Sequence, residues 1–348
     1  MGREDVLARP GALSTATRLP VAPPRRPHDA PVVDPPPDAI FRGAFRRSTL
    51  IRNAVTDHEL RTPSWRHPHH GRYAWSGTDP ETPAQRILEA VSLLTDRCVL
   101  GGWAAAFLHG ATDLDGRSWF GLLEPVLFVL PYERRIRRAG IRPIRAPLAP
   151  DDVAEIGGVQ VTAALRTCFD LMRLRTVEDA VVAADAMLRA NIVTVEALTD
   201  YVHRHTGWRG VGTARVAVGL ADGAAASCPE SRLRLLWVVD AGLPHPQVNR
   251  PVFDPAGVLL GVPDLLDLES GLVGEYDGAV HRDARRHAAD NVREERLESH
   301  GLTVVRATAI DLTHKRAQSA QRLRDGYRRA MARNRRLDRW TVEPPETP

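Results

Sequence analysis

Four side chains in one short stretch have the types and spacing for metal-assisted hydrolysis: Asp264, Glu275, Asp277 and His281. They fall in Val262-Pro-Asp-Leu-Leu-Asp-Leu-Glu-Ser-Gly-Leu-Val-Gly-Glu-Tyr-Asp-Gly-Ala-Val-His281, which reads as two adjacent strands and the start of a helix. Carboxylates gathered at strand ends suit Mg²⁺ (or Mn²⁺). Such a hard cation takes few protein oxygens and leaves the rest of its shell to water and phosphate. Glu275 and Asp277 are two apart, so on a regular strand they share a face. Three acids on neighbouring strands repel unless a cation intervenes. Each residue also has a plainer reading. Asp264 follows Pro263 and ends a bulge, Asp277-Gly278 is a turn dipeptide, and His281 caps the helix that follows. Asp267 and Glu269 are expected toward solvent at the hairpin.

The elements that must position these groups are legible around them. Residues 227–335 read as helix, three strands, helix, strand, helix. The first helix is Ser227-Cys-Pro-Glu-Ser-Arg-Leu-Arg-Leu-Leu-Trp237, in which Ser227 and Glu230 have capping-box spacing. Strands are expected near 247–253, 258–268 and 272–277. A helix over 282–299 stops at Gly301, a C-terminal glycine. Leu302-Thr-Val-Val-Arg306 is a further strand, and a basic helix runs to Arg336.

Upstream, residues 1–37 are rich in proline and arginine and read as a disordered leader. Residues 38–78 read as a small helical unit followed by a hairpin wing around Gly71, Trp65-Arg-His-Pro-His-His-Gly-Arg-Tyr-Ala-Trp75. Thr56-Asp-His-Glu59 has the spacing of a helix cap. Helices before a basic hairpin suggest a winged helix-turn-helix. His67, His69 and His70 have no cysteine nearby and read as a solvated loop rather than a metal site. In residues 79–222, Thr82-Pro83 opens a helix, and Val99–Gly110 reads as a second, buried helix. Val126-Leu-Phe-Val-Leu130 is a strand. Arg134, Arg135, Arg137, Arg138, Arg142 and Arg145 then form the densest basic stretch, fit either to track a phosphate backbone or to cover a solvated hairpin. Residues 151–222 read as helical, with Thr176 and Asp179 as a capping pair and a break at Arg209-Gly-Val-Gly-Thr213.

Composition bounds the rest. With 348 residues, two or three domains are expected. No apolar run approaches a membrane span, and the N-terminus lacks the pattern of a secretory signal. Cys98, Cys168 and Cys228 are scattered and odd in number, which suggests neither a disulfide framework nor a zinc site and fits a reducing cytoplasm. The net charge of +4 does not by itself imply a polyanionic partner. Nearly all basic residues are arginine, as a GC-rich genome also produces.

The predicted αβββαβ order resembles the core of the PD-(D/E)XK nucleases. Residues 227–312 are similar to an actinobacterial domain family related to the very-short-patch-repair endonuclease, on Glu230-Ser-Arg-Leu-Arg234, Ala241-Gly-Leu-Pro244, Pro263-Asp264, Glu275-Tyr-Asp-Gly278, His281, Leu297-Glu-Ser-His-Gly301 and Val304-Val-Arg306. Gly101-Gly-Trp-Ala-Ala-Ala-Phe-Leu-His-Gly110 and Arg166-Thr-Cys-Phe-Asp-Leu171 resemble the AbiEi-type antitoxin region that often precedes it. The resemblance implies an α+β multidomain chain: a leader (1–37), a winged-helix unit (38–78), an AbiEi-like α/β region (79–222) and a restriction-endonuclease-like domain (227–335). It implies Asp264 and Glu275 as metal ligands. Asp277 stands where the superfamily has its lysine, a departure that leaves His281 as proton donor or base. Glu230 takes the position of a contact to metal-bound water, with the capping role as its rival. Arg282, Arg285 and Arg286 follow as phosphate holders.

Two functions are expected from this. One is a Mg²⁺-dependent DNA endonuclease or nickase. The other is a non-catalytic DNA-binding regulator of the type IV antitoxin kind, in which the nuclease fold is a relic or a dimerisation unit. DNA is the partner in both; a homodimer and a cognate toxin belong to the second.

Overall fold

The computed structural model describes residues 43–95, 97–133, 135–278 and 293–343. The proline-rich leader, Arg134, His281, Arg282, Arg285 and Arg286 lie outside the described residues. The chain divides into two compact units, Met1–Leu171 and Met172–Pro348, each mixing helices with sheet.

In the first unit, β1 (Phe45–Arg46), β2 (Trp65–Arg66) and β3 (Arg72–Trp75) form an antiparallel sheet ordered β1-β3-β2. α1 (Arg47–Arg52) and a 3₁₀ turn, Glu59–Arg61, pack beside it around Leu50, Leu60 and Trp65. The turn begins where the Thr56–Glu59 spacing predicts a cap. Thr56 N–H and Oγ1 both donate to Glu59 Oε2 at 2.7 Å, and Glu59 N–H donates back to Thr56 Oγ1 at 3.2 Å. α2 (Pro83–Val91) starts at its proline.

Two segments differ from the sequence expectation. Val99–Gly110 is not one helix: Val99–Gly101 is strand β4, and α3 spans Gly102–His109. Gly102 has φ +60°, and a Cβ there would stand 3.0 Å from Leu127 Cβ. Only glycine accepts both, and the chain turns at that point from strand to helix. Residues 153–162 are not helical either. β7 (Val153–Ile156) and β8 (Val159–Thr162) form a hairpin across Gly157-Gly158, both at positive φ. Buried Val159 and Val161 flank exposed Gln160, the two-residue period of a strand. With β5 (Val126–Leu130) and β6 (Ile141–Arg145) the sheet order is β6-β5-β4-β8-β7, so β6 is an edge strand. Leu100, Trp103, Phe128 and Leu130 centre its core. In α4 (Ala164–Arg173), Arg166 is fully buried and reaches Asp170 Oδ2 and Asp152 Oδ2, each at 2.9 Å. The Arg166-Thr-Cys-Phe-Asp170 motif thus pins the hairpin entry to the helix.

The second unit holds α5 (Val177–Arg189), α6 (Val195–Arg204), α7 (Val211–Leu220) and α8 (Cys228–Leu235). Thr176 caps α5, its Oγ1 accepting from Asp179 N–H at 3.2 Å. Arg234 of α8 and Asp185 of α5, both with fully buried side chains, pair at 2.8 Å. The strands that follow are shorter than expected: β9 (Gln247–Val248), β10 (Val252–Phe253), β11 (Leu259–Gly261), β12 (Leu265–Leu266) and β13 (Leu272–Asp277). The 247–253 strand breaks because Asn249 adopts φ +50° and Pro251 has no N–H to donate. The 258–268 strand breaks at Pro263 for the second reason. β10 and β11 form a separate ribbon. The main sheet has the order β14-β13-β12-β9, in which β14 (Thr303–Thr308) runs parallel to β13 and the other pairs are antiparallel. The described part of α9 (293–299) ends at Gly301, φ +101°, as the glycine predicts. α10 (Ala309–Thr313) and α11 (Arg316–Met331) complete the unit.

Candidate active site

Asp264 immediately precedes β12, an inner strand of the main sheet. The last ladder pairs are Leu265 with Gly274 of β13 and with Val248 of β9. One residue further on each strand places Asp264 between Glu275 and Asn249. Residues directly opposite on antiparallel strands share a face, so Asp264 and Glu275 lie on one face, and the charge of Glu275 acts on Asp264. Tyr276 N–H donates to Asp264 Oδ2 at 2.7 Å, and Asn249 N–H donates to the Asp264 carbonyl at 3.1 Å. These two bonds fix the acid's backbone and one of its oxygens.

Glu275 is 5% exposed. Its Oε2 lies 2.8 Å from Arg293 Nη2 of α9, and its buried Oε1 has no hydrogen-bond partner among the described residues. The next residue of α9, Glu294, pairs with Arg306 of β14 at 2.7 Å. Two ion pairs therefore hold the described part of α9 against β13 and β14. Burial pushes the Asp264 carboxyl up to about 6, the charges of Glu230 and Glu275 push the same way, and the Tyr276 amide and Arg293 oppose them.

Glu230 approaches from α8, and its oxygens are occupied. Oε1 accepts from Ser227 Oγ at 2.7 Å; Oε2 accepts from Ala226 N–H at 2.7 Å and from Asn249 Nδ2 at 3.0 Å. The capping role read from the sequence is present, with Asn249 as a link to the sheet. Asp277 ends β13, level with Thr308 of β14, on the face of Glu275. Asp267 is 6% exposed rather than solvent-facing: its Oδ2 accepts from Ser270 N–H at 2.7 Å and closes the β12–β13 turn. Arg135, Arg137 and Arg138 are exposed in the other compact unit.

Asn249 and Arg293 complete this site without having been singled out in the sequence. Asn before Arg-Pro carries a turn signal, because asparagine tolerates positive φ. Arg293 gives no local signal, because its partner lies 18 residues earlier on another element. Among the described residues, no three His, Cys, Asp or Glu side chains gather closely enough to hold a metal ion. The site is a carboxylate pair with an arginine on one member.

No family model matches the chain, and no solved structure matches it. The chain is 28% identical over 169 residues to two proteins from strains of Mycobacterium tuberculosis, the uncharacterized proteins MT2308 and Rv2248. The match covers 48% of this chain and 62% of each relative. The chain thus spans about three fifths of the length of the curated relatives it matches.

Proposed function

We propose that this chain is a divalent-metal-dependent DNA endonuclease or nickase, built on a PD-(D/E)XK-like core in the second unit. The observation that supports this most is the cross-strand pair Asp264–Glu275 at the end of a mixed sheet, both acids largely removed from water. Two buried carboxylates are costly unless a cation joins them. A buried Glu275 oxygen without a partner among the described residues, and an Asp264 carboxyl raised to about 6, fit such a cation.

The residues fit Mg²⁺ or Mn²⁺ as a two-carboxylate site, the number such cations often take from protein. Asp264 and Glu275 would hold the ion, which supplies charge stabilisation at the scissile phosphate. Tyr276 N–H and Asn249 keep Asp264 aimed. Glu230 acts through Asn249 as a positioning residue. Arg293, on releasing Glu275, presents a guanidinium to a phosphate oxygen. Asp264 would hold the ion only in its ionised form, and burial raises its carboxyl to about 6. His281, Arg282, Arg285 and Arg286 keep the roles the resemblance implies. The β1–β3 unit is read as a winged-helix-like DNA contact, and the cytoplasm as the location. No helix among the described residues is long and apolar enough to cross a membrane.

The Arg293–Glu275 ion pair favours one second reading. If that pair is permanent, the core is a non-catalytic relic and the chain is a DNA-binding regulator, dimeric and paired with a toxin. Plasmid cleavage with Mg²⁺ or Mn²⁺ decides between them. Metal-dependent nicking that is lost in Asp264→Ala and Glu275→Ala supports the nuclease. DNA retention without metal and no cleavage by wild type supports the regulator.

A further inference from the structure

The three histidines of the β2–β3 hairpin lie in the first unit, His67 and His70 exposed and His69 half-buried. His67, His69 and His70 line a concave site whose other wall is Arg138, from the connection between β5 and β6. The two stretches are 68 residues apart at their nearest named members, His70 and Arg138, and the fold brings them together.

The charges around this site are unbalanced. Arg138 has no carboxylate partner among the described residues; its one hydrogen bond runs from Nη1 to the Arg137 carbonyl at 3.0 Å. Arg72, next to the hairpin turn, donates from Nε and Nη2 to the Ser92 carbonyl at 2.9 and 2.6 Å, which fixes its position and leaves its charge unpaired. Arg46 adds to the positive field felt by Arg72. The acid that acts on His69 is Glu89, and Glu89 is already paired with Arg66 and accepts a hydrogen bond from Gln85 at 2.7 Å. His67 is held by an edge-on contact with Tyr73, ring centres 4.4 Å apart. Burial, with Arg138 and Arg72 behind it, pushes the His69 imidazole down despite Glu89. A concave site lined by a guanidinium and three imidazoles, with no acid among its described lining residues, favours an anion.

We propose that the β2–β3 hairpin tip and the β5–β6 connection together form a phosphate-holding pocket for the backbone of duplex DNA. It deepens the DNA-directed reading above and rests on it. A polymer is favoured over a free phosphate because the positive charge continues beyond the pocket. Arg135, Arg137, Arg142 and Arg145 are exposed along the connection and the edge strand β6, and none has an ion-pair partner among the described residues. Several exposed guanidiniums near the pocket fit a polyanion better than a single phosphate. It carries no base-reading geometry, so the contact sets affinity and register rather than sequence.

The test is fluorescence anisotropy of the full chain on a labelled DNA duplex across a salt series, without divalent metal. The variants are Arg138→Glu, His70→Glu and, as a charge-matched control on exposed Arg215 of α7, Arg215→Glu. Arg138 and His70 are both exposed, so neither change threatens the fold. The pocket predicts that each of the first two weakens binding about tenfold or more at low salt, with a salt slope shallower by about one for Arg138→Glu, while Arg215→Glu stays within about twofold. Equal losses in all three variants overturn the pocket, and so does tighter binding of an RNA duplex or competition by inorganic phosphate alone at low concentration. Absence of any DNA binding by wild type overturns it as well. Cleavage is scored separately on the same protein. A selective Arg138→Glu loss with no metal-dependent nicking keeps the pocket and removes the nuclease.

Discussion

Arg293 Nη2 lies 2.8 Å from Glu275 Oε2, on the carboxylate that would otherwise share a cation with Asp264. Arginine and metal would neutralise the same carboxylate, Arg293 from Oε2 and a cation from Oε1, which has no hydrogen-bond partner among the described residues. Removing the arginine leaves Glu275 buried and uncompensated, which costs about 1–3 kcal/mol when Arg293 is itself partly exposed. Arg293→Gln is therefore expected to lower the melting temperature in chelator and to regain more of it on Mg²⁺ addition than wild type does. Thermal melts with and without metal check this. Equal metal responses in both proteins would mean the two do not share Glu275.

Asp264 ties stability to pH in the opposite sense from a salt-bridged acid. Its folded-state value of about 6 is above the ordinary 3.8, so the folded state holds the proton more tightly than the unfolded chain. Metal-free stability is then fully present below about pH 4 and is lost as pH rises toward and through 6. The loss from this one group is at most roughly 3 kcal/mol. Asp264→Asn keeps an acceptor for Tyr276 N–H and removes the ionisation. It is expected to be more stable than wild type at pH 7.5 and inactive in cleavage. Urea unfolding of both proteins at pH 4.5 and 7.5 measures it; a parallel pH dependence in the two sinks the assignment.

The Asp185–Arg234 pair shows burial outweighing attraction. Asp185 is pushed up by desolvation, although Arg234 and the Asp222 amide, 2.7 Å from its Oδ1, pull it down. A pair of this kind is hard to break singly and easy to replace whole. Arg234→Met is expected to cost about 3–5 kcal/mol, and the double variant Asp185→Leu with Arg234→Met to recover most of it. Denaturant midpoints of the two single variants and the double give the coupling. Additive losses would show that the residues act separately.

Gly210 marks the break before α7 for a steric reason. Its φ is +81°, and a Cβ would fall 2.0 Å from the Arg173 carbonyl oxygen. Neither strain has a flexible side chain to absorb it. Gly210→Ala is expected to destabilise by about 3 kcal/mol or more, whereas Gly212→Ala, in open space within α7, is expected to be neutral or stabilising. Paired chemical denaturation curves compare them.

What the sequence made legible follows from how local each signal is. Asp264 and Glu275 were readable because Pro-Asp and Glu-x-Asp sit on either side of one short hairpin. The caps at Thr56, Thr176 and Ser227, and the helix end at Gly301, are local too. Arg293 on Glu275 and Arg138 beside His69 are not, because only the folded chain brings those partners together. Val99–Gly101 was misleading because three small or aliphatic residues ahead of an alanine-rich helix carry no period of their own. The Val153–Thr162 hairpin was hidden for a different reason: its alternation is short and lies inside a helical neighbourhood.

Glu230 separates a structural from a chemical role most sharply. Ser227 Oγ, Ala226 N–H and Asn249 Nδ2 all donate to its two oxygens. Little of the carboxylate remains for a water, yet its charge still helps to raise Asp264. Glu230→Ala is expected to lose about 1–2 kcal/mol, the scale of a helix cap and its bonds. The same change should move the pH at which Asp264 titrates downward, since a like charge has gone. Cleavage per folded molecule should fall by less than about tenfold, because no interaction specific to the transition state is removed. The urea midpoint, its pH dependence and the single-turnover rate are read on one preparation. A rate loss of a hundredfold or more in folded protein, with stability unchanged, would place Glu230 in contact with the reacting water.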